Sequence, residues 1–205
     1  MLVEGIKSRP VYKGLIIQPK ARKHIFALEG EGALALIEQQ AALDETGLAR
    51  SEVLYVARGS QGKRHDDMLR RLGADMFFAA PTIATLLFRL KGSLATAHMG
   101  TRLYLSGTEG FIGQAMLVAL DYGMDHASVI TEHRGSLARR VQCVHCKGIT
   151  DDVTTSPFAC SHCGLPLLVR DHYSRRLAAF QGVNIDAEEP GSAPDPGSCS
   201  FERWH

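Results

Sequence analysis

The sequence predicts an α/β protein, a five-stranded parallel sheet covered by helices, followed by a small four-cysteine metal unit. Three observations carry that expectation. Short apolar runs alternate with helix-length segments five times between about residues 23 and 138. Parallel neighbours need such crossover segments, and each one is present. Four of the five cysteines stand in two matched pairs, Cys143-Val-His-Cys146 and Cys160-Ser-His-Cys163. With 205 residues and 45% apolar content, the chain can build one ordinary core and one stapled unit.

The elements follow in order. Residues 1–22, with Pro10, Gly14 and Pro19 around Leu15-Ile-Ile17, read as an N-terminal arm or edge strand. The α/β domain, 23–138, opens with the apolar run His24–Leu28, the turn Glu29-Gly30-Glu31-Gly32 and a helix over Ala33–Leu43. Glu52–Ala57 predicts a second strand and Asp66–Leu72 a second helix. Asp75–Ala80 is the third strand, and Pro81–Leu90 a helix with proline in its first turn. Arg102–Ser106, the turn Gly107-Thr-Glu-Gly110, the helix Phe111–Tyr122 and the strand Ser128–Thr131 complete the domain. Residues 139–187 hold the metal hairpin and a docking helix over Asp171–Phe180, with Asp171 as its N-cap and Gly182 past its end. From 188 to 205 the chain is turn-rich and predicts a mobile tail, with Phe201 and Trp204 as its anchors.

The cysteine pairs are the strongest chemical signal. Each C-x-x-C loop offers two thiolates, and the thirteen residues between the pairs are long enough to return as a hairpin and bring Cys143, Cys146, Cys160 and Cys163 onto one cation. Zinc is the first choice and a single iron the alternative; the stretch Lys147–Pro157 has none of the aromatic residues that pack around a rubredoxin iron. A Rieske arrangement fails, because its second half needs C-x-x-H. His145 and His162 are therefore expected as exposed knuckle residues. Four thiolates leave no position open for water, so the ion is expected to be structural.

Gly30-Glu31-Gly32-Ala-Leu-Ala35 fits G-x-G-x-x-A between strand and helix, the turn that sets helix amides against a pyrophosphate. Glu29 and Glu31 oppose a dianion there, each repulsion being on the order of 1 kcal/mol. Arg58, with Lys63 and Arg64 nearby, stands where a nicotinamide nucleotide would need a partner for a 2′-phosphate, which favours NADPH. The alternative is that the glycines only make tight β–α turns.

Several classes are excluded or unsupported. Lysine plus arginine number 23 against 22 acids, so no bulk charge draws nucleic acid, and Arg139, Arg140, Arg170, Arg175 and Arg176 form a local cluster only. No apolar run has the length of a membrane span and no secretory leader is legible at Met1–Lys7, so the expected location is cytoplasmic. No G-x-S-x-G or H-E-x-x-H points to hydrolysis. His98, His126 and His133 are isolated, and Cys199 is expected to be incidental.

The run Leu103-Tyr-Leu-Ser106-Gly107-Thr108-Glu-Gly-Phe-Ile, a helix, Gly123 and Val129-Ile-Thr-Glu132 resembles the end of the nucleotide domain of ferredoxin reductases. There a strand ending in Cys-Gly-Pro precedes the helix; Ser106 and Thr108 depart from that pattern, and the flavin-carrying barrel that comes first in those proteins has no counterpart in about twenty residues. The resemblance implies a nicotinamide site framed by Gly30, Gly32, Arg58, Ser106 and Gly107, facing a flavin on another chain. The fold class it implies is a ferredoxin-reductase-like nucleotide-binding domain carrying a zinc-ribbon or rubredoxin-like hairpin and a following helix. Together with that hairpin and Cys163–Val183, the chain is similar to the small subunit family of bacterial dimethylamine monooxygenase. This implies a subunit, in a reductase or assembly role, of a hetero-oligomeric NAD(P)H-dependent oxidoreductase converting dimethylamine to methylamine and formaldehyde. Haem, flavin and iron–sulfur groups would sit on sister subunits. The alternatives are a nucleic-acid-associated zinc-ribbon protein and a rubredoxin-like electron carrier fused to a nucleotide domain.

Overall fold

The structure, a computed structural model, describes residues 8–195 and the backbone of 199–200. Phe201 and Trp204, expected as anchors of the tail, lie outside the described residues, as does Met1–Lys7. Two units are present: one spans Tyr12–Ser136, and the other joins the N-terminal residues up to Val11 with the chain from Leu137 onward.

In the first unit β1 (Lys23–Glu29), β2 (Ser51–Val56), β3 (Met76–Ala80), β4 (Thr101–Gly107) and β5 (Val129–His133) form one parallel sheet in the order β3-β2-β1-β4-β5. Side chains alternate across a strand, and both faces are apolar. Ile25, Ala27, Leu54, Leu103 and Leu105 meet α4 (Ile83–Ala95) and α5 (Glu109–Asp121). Phe26, Leu28, Val53, Tyr55 and Tyr104 meet α1 (Ala33–Glu38) and α3 (Gly62–Arg71). That double burial is why these strands read as unbroken apolar runs. Residues 12–22 form a strap that contributes Tyr12 to the first face and Leu15 and Ile17 to the second.

Local details differ from expectation at helix ends. The helix expected over Ala33–Leu43 stops at Glu38, and the chain continues through 3-10 turns to α2 (Glu45–Leu48), capped by Asp44 accepting from Gly47 N. Helix α3 begins four residues before Asp66. Pro81 precedes α4 and is not in its first turn; Thr82 is the N-cap and accepts from Thr85 N.

In the second unit β6 (Arg139–Cys143), β7 (Ile149–Val153), β9 (Phe158–Ala159), β10 (Pro166–Ser174) and β11 (Ala179–Asn184) form a mixed sheet ordered β7-β6-β11-β10-β9. Beside it β8 (Thr155–Ser156) pairs with β12 (Cys199–Ser200) in the backbone of the tail. Two expectations fail here. The thirteen residues between the cysteine pairs do not return on themselves as a hairpin: β7 pairs with β6 and β9 with β10, at opposite edges of the sheet. The docking helix over Asp171–Phe180 is absent, and β10 and β11 form an antiparallel hairpin there, turning at Ala178. Leu167, Val169 and Tyr173 are buried while Arg170 and His172 face solvent, a two-residue period that overrides the helix propensity of Arg-Arg-Leu-Ala-Ala. Gly182 is not a helix stop; a Cβ there would lie 2.9 Å from Val141 Cγ1 and 3.0 Å from Leu167 Cδ1, so glycine lets β11 pass between them.

Candidate functional site

Two places concentrate polar chemistry. The first is the thiol cluster. Cys143 ends β6 and Cys160 follows β9, and each begins a knuckle with the same backbone bonds. Lys147 N donates to Cys143 O and Gly164 N to Cys160 O, both at 3.0 Å. Cys143 N donates to Gly148 O and Cys160 N to Leu165 O, both at 2.9 Å. Val144 N donates to Gly182 O, tying the first knuckle to β11.

The four Sγ atoms lie within 4.8 Å of one another, with Cys143 3.9 Å from Cys163 and Cys146 3.8 Å from Cys160. Disulfide sulfurs sit about 2.05 Å apart, so these are free thiols. Four sulfurs about 2.3 Å from one ion form a tetrahedron with edges of about 3.8 Å; the 3.8 and 3.9 Å separations match it, and the other edges lie within 4.8 Å. The residues therefore fit a tetrahedral metal ion. A bound dication would hold all four as thiolates and supply a rigid, closed cross-link.

Without a cation, the thiols repel each other's ionisation. Burial opposes the Cys160 thiolate, yet the N–H groups of Cys163 and His162 and the neighbouring thiols bring its pKa down to about 6. At Cys163 the Leu165 N–H favours the thiolate, but burial and the other three sulfurs win and push it up to about 12. His145 is exposed, and His162 spends Nε2 on Ile149 O at 2.9 Å with its ring against Gly148. Neither belongs to the cluster.

Aromatic residues absent from Lys147–Pro157 come from elsewhere: Phe158, Tyr173 and Phe180 pack in one cluster with Cys143 and Cys160. The expected basic patch is divided. Arg139 is buried, lies 4.2 Å over the Phe180 ring and pairs with Asp171, which also takes Arg9. Arg140 pairs with Asp151, while Arg170, Arg175 and Arg176 are exposed. Asp171, read from sequence as an N-cap, is thus the counter-charge of a buried arginine. Its alternation with Val169 and Tyr173 was the available signal.

The second place is the ligand edge of the parallel sheet. Strand order reverses direction between β1 and β4, and ligands of open α/β sheets bind in the crevice outside that switch point. All five residues expected to frame a nucleotide lie around the switch point or at the end of neighbouring β2, where most of them are packed against or bonded to the chain's own groups. Gly30 is buried and its carbonyl accepts from Tyr55 Oη at 3.2 Å. A Cβ on Gly32 would lie 2.1 Å from Ser106 O, so the turn is pressed against β4. A Cβ on Gly107 would meet Glu29 Cβ at 2.7 Å. Ser106 is fully buried and its hydroxyl has no partner among the described residues. Arg58 donates to Glu29 Oε1 at 2.8 Å.

Glu29, read from sequence as a repulsive neighbour of a phosphate, occupies the crevice itself. Its Oε2 accepts from Thr108 N at 2.9 Å and from Thr108 Oγ1 at 2.6 Å, at the N-terminus of α5. The residues present do not fit a phosphate in this crevice: Arg58, expected opposite a 2′-phosphate, and the amide and hydroxyl of Thr108 are spent on a carboxylate. Its partners are 29 and 79 residues away, so sequence spacing carried no signal of it. Glu132, near the end of β5, accepts from Leu15 N at 2.6 Å and pairs with Arg134, which reaches Glu38.

A family model described as dimethylamine monooxygenase subunit DmmA-like, N-terminal domain, matches residues 4–129, and the corresponding C-terminal domain matches residues 140–183. The chain belongs to this family. Within the DmmA-like family, a curated relative from Ectopseudomonas mendocina (strain ymp), the heme-dependent oxidative N-demethylase delta subunit, is 31% identical over 157 residues, covering 74% of this chain and 90% of its own. Among solved structures, the FAD/NAD-binding domain of nitric oxide dioxygenase from Vibrio cholerae aligns at TM-score 0.39 and 15% identity, over 62% of this chain and 56% of that one. An intact type IV self-sufficient cytochrome P450 monooxygenase aligns at TM-score 0.45 and 16% identity, over 82% and 28%. The DmmA-like chain thus spans little more than half of the first and about a quarter of the second. No helix of the described residues is long and apolar enough to cross a membrane.

Proposed function

We propose that this chain is the assembly subunit of a cytoplasmic, hetero-oligomeric N-demethylase that consumes NAD(P)H and oxygen. The complex takes dimethylamine, oxygen, one hydride from the nicotinamide and a proton to methylamine, formaldehyde and water. The haem, flavin and iron–sulfur groups are carried by sister subunits, and the chain's own contribution is a closed metal centre on a scaffold. Membership of a family described as a dimethylamine monooxygenase subunit, over both parts of the chain, is the observation that carries this reading. The demethylase delta subunit among its relatives supports it.

Zinc is the proposed ion at Cys143, Cys146, Cys160 and Cys163, whose four thiolates complete a closed structural tetrahedron. A rubredoxin-like electron carrier is the second reading, favoured by Phe158, Tyr173 and Phe180 around the cluster. Coexpression with neighbouring genes, followed by affinity capture, tests the first reading. Haem- and flavin-bearing chains should elute with the tagged subunit in fixed ratio, and dimethylamine-dependent formaldehyde release should require it. Capture of the chain alone, or full activity without it, would sink the proposal. Elemental analysis separates the two metals, since ferric iron in four thiolates is coloured and zinc is not.

A further inference from the structure

We infer that Glu29 is a built-in anion filling the ligand crevice of the parallel sheet, so that the chain completes its fold without nucleotide and presents none to its partners. This goes beyond the assembly reading and stands whether or not that reading does.

Position comes first. Glu29 closes β1, and its acceptors meet Thr108, the residue between β4 and α5, so the carboxylate bridges the two strands that define the switch point. An anion bound at a helix N-terminus takes its bonds from the first amides and hydroxyls. Here Thr108 N and Oγ1 give both of theirs to one oxygen, while Arg58, at the end of β2, gives the other oxygen an ionic bond. Helix amide, hydroxyl and guanidinium are the donor set a phosphate would recruit.

Burial follows. The Glu29 side chain is 1% exposed against 44% for Arg58, so the carboxylate lies inside the crevice and the guanidinium covers it from the solvent side. A buried carboxylate is sustained only when hydrogen-bonded and paired, and Glu29 is both. The glycines complete the fit. Gly107 leaves the space that Glu29 Cβ and Oε2 occupy, and Gly32 brings its turn onto Ser106 O. At the neighbouring strand end, Glu132 is likewise consumed, by the strap amide of Leu15 and by Arg134. Two carboxylates at the ligand edge each serve the chain's own donors.

The test uses the full-length, metal-loaded chain. Calorimetric titration of the native chain with NADPH and with NADH should give no saturable binding up to ~1 mM, the weak end of specific association. Inorganic phosphate should raise its melting temperature no more than chloride does at equal ionic strength. Glu29→Ala vacates the site and leaves Thr108 and Arg58 without their carboxylate. Phosphate should then raise the melting temperature of this variant by about 3 °C more than that of the native chain, and adding Arg58→Ala should remove the gain. If Glu29→Ala does not fold, Glu29→Gln retains an acceptor for Thr108 while removing the carboxylate charge from Arg58, and a smaller phosphate gain is expected. Saturable nucleotide binding by the native chain overturns the inference, as does a variant that folds and responds to phosphate no more than its parent. Failure of copurification bears on the assembly reading alone.

Discussion

The crevice of the parallel sheet and the thiol cluster of the C-terminal unit both gather charge around a point, and they balance it in opposite ways. At the crevice the chain provides both signs, with Glu29 against Arg58 and the dipole of α5. At the cluster it gathers only one, four sulfurs within 4.8 Å of one another that carry negative charge when ionised. Like charges at that separation cannot all ionise unaided. Chemical completeness, more than resemblance to a cofactor-binding fold, decides which site must import a partner. The sharpest break of the comparison is removal of the ion. Stripping it with a chelator, or replacing Cys143 with serine, should cost the second unit most of the ~10–16 kcal/mol that structural zinc supplies to small domains. Hydrogen exchange should show β6, β10 and β11 losing protection while β1, β2 and β4 keep theirs. Equal protection with and without metal would make the cluster dispensable.

Next in size is Gly32→Ala. If this glycine serves close packing of the turn on β4, the added carbon at 2.1 Å from Ser106 O has only backbone to displace. The cost should then exceed ~3 kcal/mol in urea unfolding, beyond ordinary overpacking. A glycine kept for approach to a ligand would instead tolerate alanine in the free protein. Gly92→Ala is the control: it lies inside α4 with nothing within 4 Å of the added carbon. It should be stabilising by up to ~1 kcal/mol.

What the sequence disclosed follows from the range of the forces involved. The three central strands were legible because burial on both faces writes itself as local apolar runs, Phe26 and Leu28 toward one side of β1 and Ile25 and Ala27 toward the other, and the half-buried edge strands β3 and β5 by their place in the strand–helix alternation. The cysteines were legible by spacing alone. The β10–β11 hairpin was not, because its alternation puts a charged side chain, Asp171, at the inward position between Val169 and Tyr173, where the register shifts. The acid there is drawn by Arg9 and Arg139, one of them 162 residues earlier in the chain (171 minus 9). For Glu29 the sign, and so its opposition to a phosphate, was visible for the same reason, and its partners were not.

A smaller effect separates the units by pH. His24 is fully buried in the first unit; its Nδ1 contacts Tyr104 Oη at 3.2 Å and its Nε2 has no partner among the described residues. Burial, aided by the Arg50 charge, lowers its pKa below 6.5. The folded state therefore resists a proton that the unfolded chain accepts. Stability from this residue is complete above pH 6.5 and declines as pH falls below it, by at most ~1.4 kcal/mol per pH unit. Between pH 7 and pH 5.5 the melting temperature of the first unit should fall less steeply in His24→Asn than in the native chain. Parallel curves would mean that the imidazole takes up its proton equally in the folded and unfolded chain, so that burial does not lower its pKa.

The smallest expected effect lies within the metal unit, where the two knuckles make the same backbone bonds with different residues at the corner. Gly164 sits at φ +75° and Lys147, its counterpart, at φ +63°. A side chain in that left-handed region costs ~1–2 kcal/mol, and glycine avoids the cost while losing ~0.5–1 kcal/mol through its freer unfolded chain. The lysine recovers something through its ammonium, which donates to Val144 O at 2.6 Å, but that bond is exposed to solvent. Lys147→Gly should therefore tighten the metal site by a net ~0.5 kcal/mol, about twofold in affinity, read by competition with a chromophoric chelator. Loosening instead would show that the lysine bond, and not the shape of the corner, governs the first knuckle, and the likeness of the two knuckles would then end at their backbones.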